Sequence, residues 1–298
     1  MYKSRITAAE RQTSADFTLT RRAAVGRGAL TCWLALPDDC AEDAIPLLAI
    51  HGIQRGARSQ AELLGARAAA LGRPVIAPLF DVERWPRYQR VVHKGRGDLA
   101  LLSLMSELRL AGIWRTRRFE LAGYSGGAQF AHRFAMLYPH LVSRLTVASA
   151  GWYTFPDDTP YPCGVGARAG HADDWAAQFA ANLDRFLRLP IQVCVGAEDC
   201  LRDDNTRSNA EIDAQQGTDR KTRAARWVEA LCVAAGARGI EPQVSFSVLP
   251  DCGHDFADCV RYGGLDRLVL PAGDGPQRIV TAAHPVAADL QAMQQQQP

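Results

Sequence analysis

The sequence lacks any apolar run approaching the roughly 18 residues needed to cross a bilayer. It has no Cys-x-x-Cys pair, the spacing that would suggest zinc or dithiol redox chemistry. Charge of one sign is missing too: 34 basic and 32 acidic side chains leave a net +2, so nothing in the total points to nucleic acid or an anionic membrane. No internal repeat is visible. Met1 to Thr7 carries charge with no apolar stretch behind it, unlike an export signal, and the expectation is a cytoplasmic protein.

What is present is an ordinary globular composition, with 47% hydrophobic residues in a chain of 298. That length suits one α/β domain with a large core. The eight cysteines, in a chain without export features, read as free and mostly buried thiols. Cys200 and Cys252 are the pair to watch, because each lies within two residues of a candidate catalytic residue.

Residues 1 to about 15 read as a loosely held start. Phe17 to Leu36 alternates around Gly26 and Gly28, predicting an edge hairpin. Short apolar runs at Ile45 to Ile50, Pro74 to Leu79, Phe119 to Ala122, Leu145 to Ala150 and Ile191 to Val195 suit strands buried on both faces. Val244 to Leu249 is a last strand with one exposed face. Helical patterns fall between them: one opened by a capping box at Ser59 to Glu62, one capped by Asp98, one over Ala128 to Tyr138, and one from about Asp219 to Ala235. Strand and helix alternate, which predicts a mostly parallel sheet covered on both sides. From about Pro271 periodicity fades into a polar tail expected to be mobile.

Gly123-Tyr124-Ser125-Gly126-Gly127 sits between a predicted strand and a predicted helix. Gly-x-Ser-x-Gly at such a junction makes a sharp elbow that pushes the serine hydroxyl out of the sheet, with the next amide facing a developing oxyanion. A serine hydroxyl becomes a good nucleophile only when an imidazole takes its proton and a carboxylate steadies that imidazole. Asp199 and His254 follow in that order, each just after a predicted strand, at 199 − 125 = 74 and 254 − 199 = 55 residues. Glu198, Asp203 and Asp204 are the competing carboxylates. His51-Gly52 ends the first buried strand, and the loop behind it can bring a second oxyanion amide, that of Ile53 or alternatively Gln54, beside Gly126. His51 itself reads as structural, and the remaining histidines as surface or packing residues.

Together these residues resemble the α/β-hydrolase superfamily over roughly Phe17 to Gly264. Ala128 to Phe134 and Gly151 to Pro156 look like a bacterial group akin to polyhydroxybutyrate-depolymerase-like and feruloyl-esterase-like hydrolases. The resemblance implies a serine hydrolase that cleaves a carboxylic ester through an acyl-enzyme, using Ser125, His254 and Asp199, with no metal or organic cofactor. Secreted members of that group have export signals and often polymer-binding modules, so the expected substrate is a small-molecule or short oligomeric ester. A thioesterase or an acyltransferase would use the same trio, and a hydrolase-fold binding module is the reading from another class. A homodimer remains open.

Between the strands at Leu145 and Ile191 lies an insertion, about 152–188, expected to form a small cap. Trp152 and Tyr153 follow a strand's carboxyl end, where pockets of open α/β sheets form, and are candidates for the pocket wall. Trp175, Phe179, Leu183 and Leu187 recur every four residues and read as a helix docked on the core. Arg84 to Arg90, with Trp85, follows another strand end and is a second candidate specificity element. Its bland alternative is a solvated loop with arginine stems lying on tryptophan.

Overall fold

The computed structural model describes residues 11–13, 16–26, 28–93, 95–167 and 175–273. Among the described residues, nine strands form one sheet: β1 (Arg11–Thr13), β2 (Phe17–Arg22), β3 (Thr31–Pro37), β4 (Leu47–Ile50), β5 (Val75–Leu79), β6 (Phe119–Tyr124), β7 (Val142–Ala148), β8 (Ile191–Gly196) and β9 (Val244–Leu249). Their spatial order is β1-β2-β3-β5-β4-β6-β7-β8-β9. From β5 onward neighbours run parallel, while β1, β2 and β3 form an antiparallel edge. The strands after β5 lie on the far side of β4, so the order reverses at β4. In open α/β sheets a ligand crevice forms at that reversal, beyond the strands' carboxyl ends.

Helices cover both faces. On one face lie α1 (Ala57–Ala69), α7 (Phe256–Arg261) and α8 (Leu265–Val269), packed with Leu47, Ala49, Val75 and Ala77. On the other lie α2 (Gly97–Leu110), α3 (Gly126–Leu137), α4 (Trp175–Leu187) and α6 (Arg220–Gly236), packed with Leu48, Ile50, Leu121, Leu145 and Val193. Alternate residues of each parallel strand thus feed opposite cores, which is why these strands read as continuous apolar runs. The short α5 (Ala210–Gln216) precedes α6. Every residue of α3 is buried, so the helix that follows the elbow is enclosed all round. Among the described residues, no helix is long and apolar enough to cross a membrane.

Several local expectations shift. Residues Arg11–Thr13, inside the segment read as a loose start, pair with Thr18–Thr20 of β2. The helix expected from Ser59 already begins at Ala57, with Gly56 as cap and no side-chain cap bond. Asp98 lies in the first turn of α2 rather than at its cap, fully buried, accepting from Arg96 and from the Tyr138 hydroxyl. Asp219 does cap α6. Cys200 is exposed, Cys252 is buried, and both are free. The tail expected from Pro271 lies beyond the described residues after Gly273. Phe134, with no exposed surface, sits among Phe119, Phe130 and Tyr138. Phe134→Ala is expected to cost about 3 to 5 kcal/mol, read as a lower urea midpoint at unchanged slope.

Candidate active site

β6 runs straight into α3 through Ser125, whose backbone sits at φ 54 and ψ −116. That left-handed region is uncommon for a residue with a Cβ and costs on the order of 1 to 3 kcal/mol. The elbow closes because of its glycines. A Cβ on Gly127 would collide with the Ile50 and His51 carbonyl oxygens, and one on Gly123 with the Gly127 carbonyl. The Ser125 amide donates to Ala148 O at 2.8 Å, tying the turn to the end of β7.

His254 comes from the loop after β9 and Asp199 from the loop after β8. His254 Nδ1 lies 2.8 Å from Asp199 Oδ2, and Nε2 lies 3.0 Å from Ser125 Oγ. With the Nδ1 proton donated to the carboxylate, Nε2 is left to accept from the serine hydroxyl. The imidazole packs on the Tyr124 ring at 5.3 Å between centroids. The structure therefore brings together the three residues picked from sequence. It also adds one that sequence reading missed. Arg220, the first residue of α6, donates to Asp199 Oδ1 at 3.1 Å and to both oxygens of Asp203 at 2.8 and 2.9 Å. Asp199 and Arg220 are only 2% and 1% exposed, so the carboxylate is a buried charge satisfied on both sides. Asp203, one of the rival carboxylates, serves Arg220 and not the histidine. No sequence spacing ties the start of α6 to Asp199.

A second amide stands beside Gly126. A Cβ on Gly126 would lie 3.4 Å from Ile53 N and 2.8 Å from Ile53 Cγ2, so the two backbones meet next to Ser125. The loop carrying Ile53 is braced from behind. Phe80 N donates to His51 Nε2 at 3.0 Å, the Tyr88 hydroxyl donates to His51 O, and Arg55 donates to Phe80 O while lying over the Tyr88 ring. Burial pulls the His51 imidazole down to about 4, so it is a neutral structural acceptor.

Ser125, His254, Gly52 and Ile53 line a cleft of about 460 Å³, together with Ser59, Gln60, Asn205 and Phe256. Trp85, Trp152 and Tyr153, expected on its wall, are not there. Trp85 is 2% exposed and donates from its indole to Gly95 O. Tyr153 has no exposed surface and stacks on Trp227 at 4.7 Å. Trp152 is 5% exposed beneath Arg133 and Arg207. Large rings at strand ends gain more from burial in the core than from lining a wet cleft. None of the described residues of 152–188 lines the cleft either, and the Arg84 guanidinium lies over Trp85, as the bland reading of that loop had it. A larger concavity of about 800 Å³ lies at the amino ends of the strands, near Glu120, Ile191 and Gln243. It is at the opposite end of the sheet from Ser125 and holds none of the reactive trio.

Burial tends to raise the Asp203 carboxyl, but hydrogen bonds from Arg220 and Thr206 and the Arg220 charge outweigh it, bringing it from 3.8 to about 2. A carboxyl lowered by folding stabilises the fold above its unfolded pKa, and that contribution disappears as pH falls through the folded one. Asp203→Asn should therefore be less stable than the parent near neutral pH, with the gap closing between about pH 4 and pH 2. Urea midpoints across that range check it, and a gap of constant size would refute the assignment.

No family model matches this chain, and no curated protein sequence matches it. Solved structures do. Poly(aspartic acid) hydrolase-1 from Sphingomonas sp. KT-1 is 23% identical, with a TM-score of 0.72 over 84% of this chain and 98% of its own. A poly(3-hydroxybutyrate) depolymerase from Bordetella parapertussis is 24% identical, with a TM-score of 0.72 over 94% of each chain. An S-formylglutathione hydrolase from Agrobacterium tumefaciens is 12% identical, with a TM-score of 0.61 over 90% of this chain and 100% of its own. With the strand order above, these likenesses establish that the chain has the α/β-hydrolase fold.

Proposed function

We propose that this protein is a serine hydrolase that cleaves a carboxylic ester through an acyl-enzyme. The observation that carries the reading is the continuous hydrogen-bonded line from Asp199 through His254 to Ser125, opening on a cleft where two backbone amides converge. In the first half-reaction Ser125 Oγ bonds to the substrate's carbonyl carbon while its proton passes to His254 Nε2. The oxyanion that forms accepts from the amides of Gly126 and Ile53, and Asp199 steadies the imidazolium. The C–O bond to the alcohol then breaks as Nε2 returns the proton to the leaving oxygen. Water repeats the sequence on the acyl-serine, giving up its proton to His254 and releasing the acid and free Ser125.

The cleft's size suits a small ester or the end of a short oligomer. Relatives in fold include a poly(3-hydroxybutyrate) depolymerase, which supports an ester as the bond cleaved. The steps above call on no metal or organic cofactor. Arg220 acts as a positioning residue, fixing the carboxylate rotamer that Asp199 offers to the imidazole.

A fluorophosphonate probe is expected to label the folded protein at Ser125, and Ser125→Ala and His254→Ala to abolish labelling. Each should lower kcat on nitrophenyl esters by about 10⁴-fold or more, and Asp199→Asn by about 10⁴-fold. Arg220→Met is expected to lower kcat by up to about 10²-fold while labelling persists. A folded parent that resists the probe would defeat the reading.

A further inference from the structure

Three arginines are buried among the described residues, and two are matched by carboxylates: Arg220 by Asp199 and Asp203, and Arg223 by Asp213. The third, Arg133 on α3, is not. It has no exposed surface and donates to Thr154 Oγ1 at 2.8 Å and to the carbonyls of Gln89 and Gln129 at 2.6 and 3.3 Å. Its Nη2 has no partner. Its guanidinium lies 4.0 Å over the ring of Trp152, and the half-buried Arg207 lies over the same ring at 4.9 Å, with its own Nη1 also buried and without a partner. Arg90, half-buried, is within electrostatic range of both. Burial pulls Arg133 down to about 10, with Arg90 and Arg207 adding to the effect, which leaves it charged near neutral pH. Among the described residues, no carboxylate pairs with Arg90, Arg133 or Arg207.

Two guanidiniums on one indole and a third within electrostatic range, without a counter-charge, are costly in a protein interior. Planar guanidiniums with spare donors are also the groups best suited to a carboxylate. None of the three lines the cleft itself; they lie behind its Asn205 side. Arg133 lies eight residues along α3 from Ser125, about 12 Å of helix. Arg207 is two residues past Asn205, which lines the cleft. Gln129, on the turn of α3 between Ser125 and Arg133, meets Asn205 across Gly151: a Cβ there would lie 3.2 Å from Gln129 Nε2 and 3.7 Å from Asn205 O.

We infer that Arg133 and Arg207, on Trp152 and assisted by Arg90, form an anion subsite that receives a carboxylate carried by the substrate several bonds from the scissile ester. This deepens the reading of the cleft as an ester hydrolase and rests on it. The substrate class is then an ester of a dicarboxylic acid or of a hydroxy acid, the second carboxylate serving as an anchor that sets how far the chain extends past Ser125.

The test compares esters with a free terminal carboxylate, from glutarate to suberate, with the same esters capped as methyl esters. A second series places the carboxylate on the alcohol instead. One length in one series should show kcat/KM roughly tenfold to a hundredfold above its capped partner, the range a charge-assisted hydrogen bond supplies. That ratio should shrink with added salt. It should fall toward one in Arg207→Ala and in Arg133→Lys, and stay unchanged in Arg109→Ala on the exposed face of α2. A thermal-shift titration with the free dicarboxylate, glutarate to suberate, reads the subsite without turnover and should raise the midpoint of the parent but not of Arg207→Ala. If the parent hydrolyses no ester while the Arg207-dependent shift persists, the hydrolase reading fails and the subsite stands. Equal rates for free and capped esters with no thermal shift, or a preference and shift that survive both substitutions, would overturn the subsite.

Discussion

The first turn of α3 rests directly on the carbonyl end of β4, backbone against backbone, and the site is built out from that contact. Because Gly127 has no side chain, the helix can approach the Ile50 and His51 oxygens closely enough for Ser125 to be held in a left-handed conformation at the sheet's edge. The same approach brings the Gly126 and Ile53 amides side by side. A helix buried on every face cannot tilt to relieve the strain, so the cost of the serine's geometry is spread over the whole core that encloses α3.

Charge in the interior is arranged along the same edge. Asp199 is held between an imidazole and a guanidinium, and Asp203 in turn pairs with that guanidinium. On the other side of α3 the sign is reversed and left unbalanced around Trp152. The reactive trio thus sits among compensated charges, while the uncompensated positive charge lies behind the cleft wall, where the proposed subsite would use it.

Much of this was legible in the sequence, where single positions dictate it. The elbow could be read because only glycine fits at Gly123 and Gly127, and Asp199 and His254 because both follow strands at whose carboxyl ends a parallel sheet must present its side chains. The hairpin, the parallel strands and the helix α6 followed from local pattern. Arg220, Tyr88 and the pairing of Arg133 with Trp152 were not legible, because each depends on packing between segments far apart in the chain. Trp85, Trp152 and Tyr153 were placed on the cleft by their position after strands. A strand end fixes where the backbone leaves the sheet, and not which way a ring turns.

The cleft is assembled from four separate stretches of chain, around His51, Ser125, Asn205 and Phe256. The histidine and the ring packed against Tyr124 come from the last of them. The nucleophile therefore gains its base only from the stretch furthest along the chain, the loop after β9. Reactivity thus depends on a contact between the middle of the chain and its C-terminal part, and not on the elbow alone.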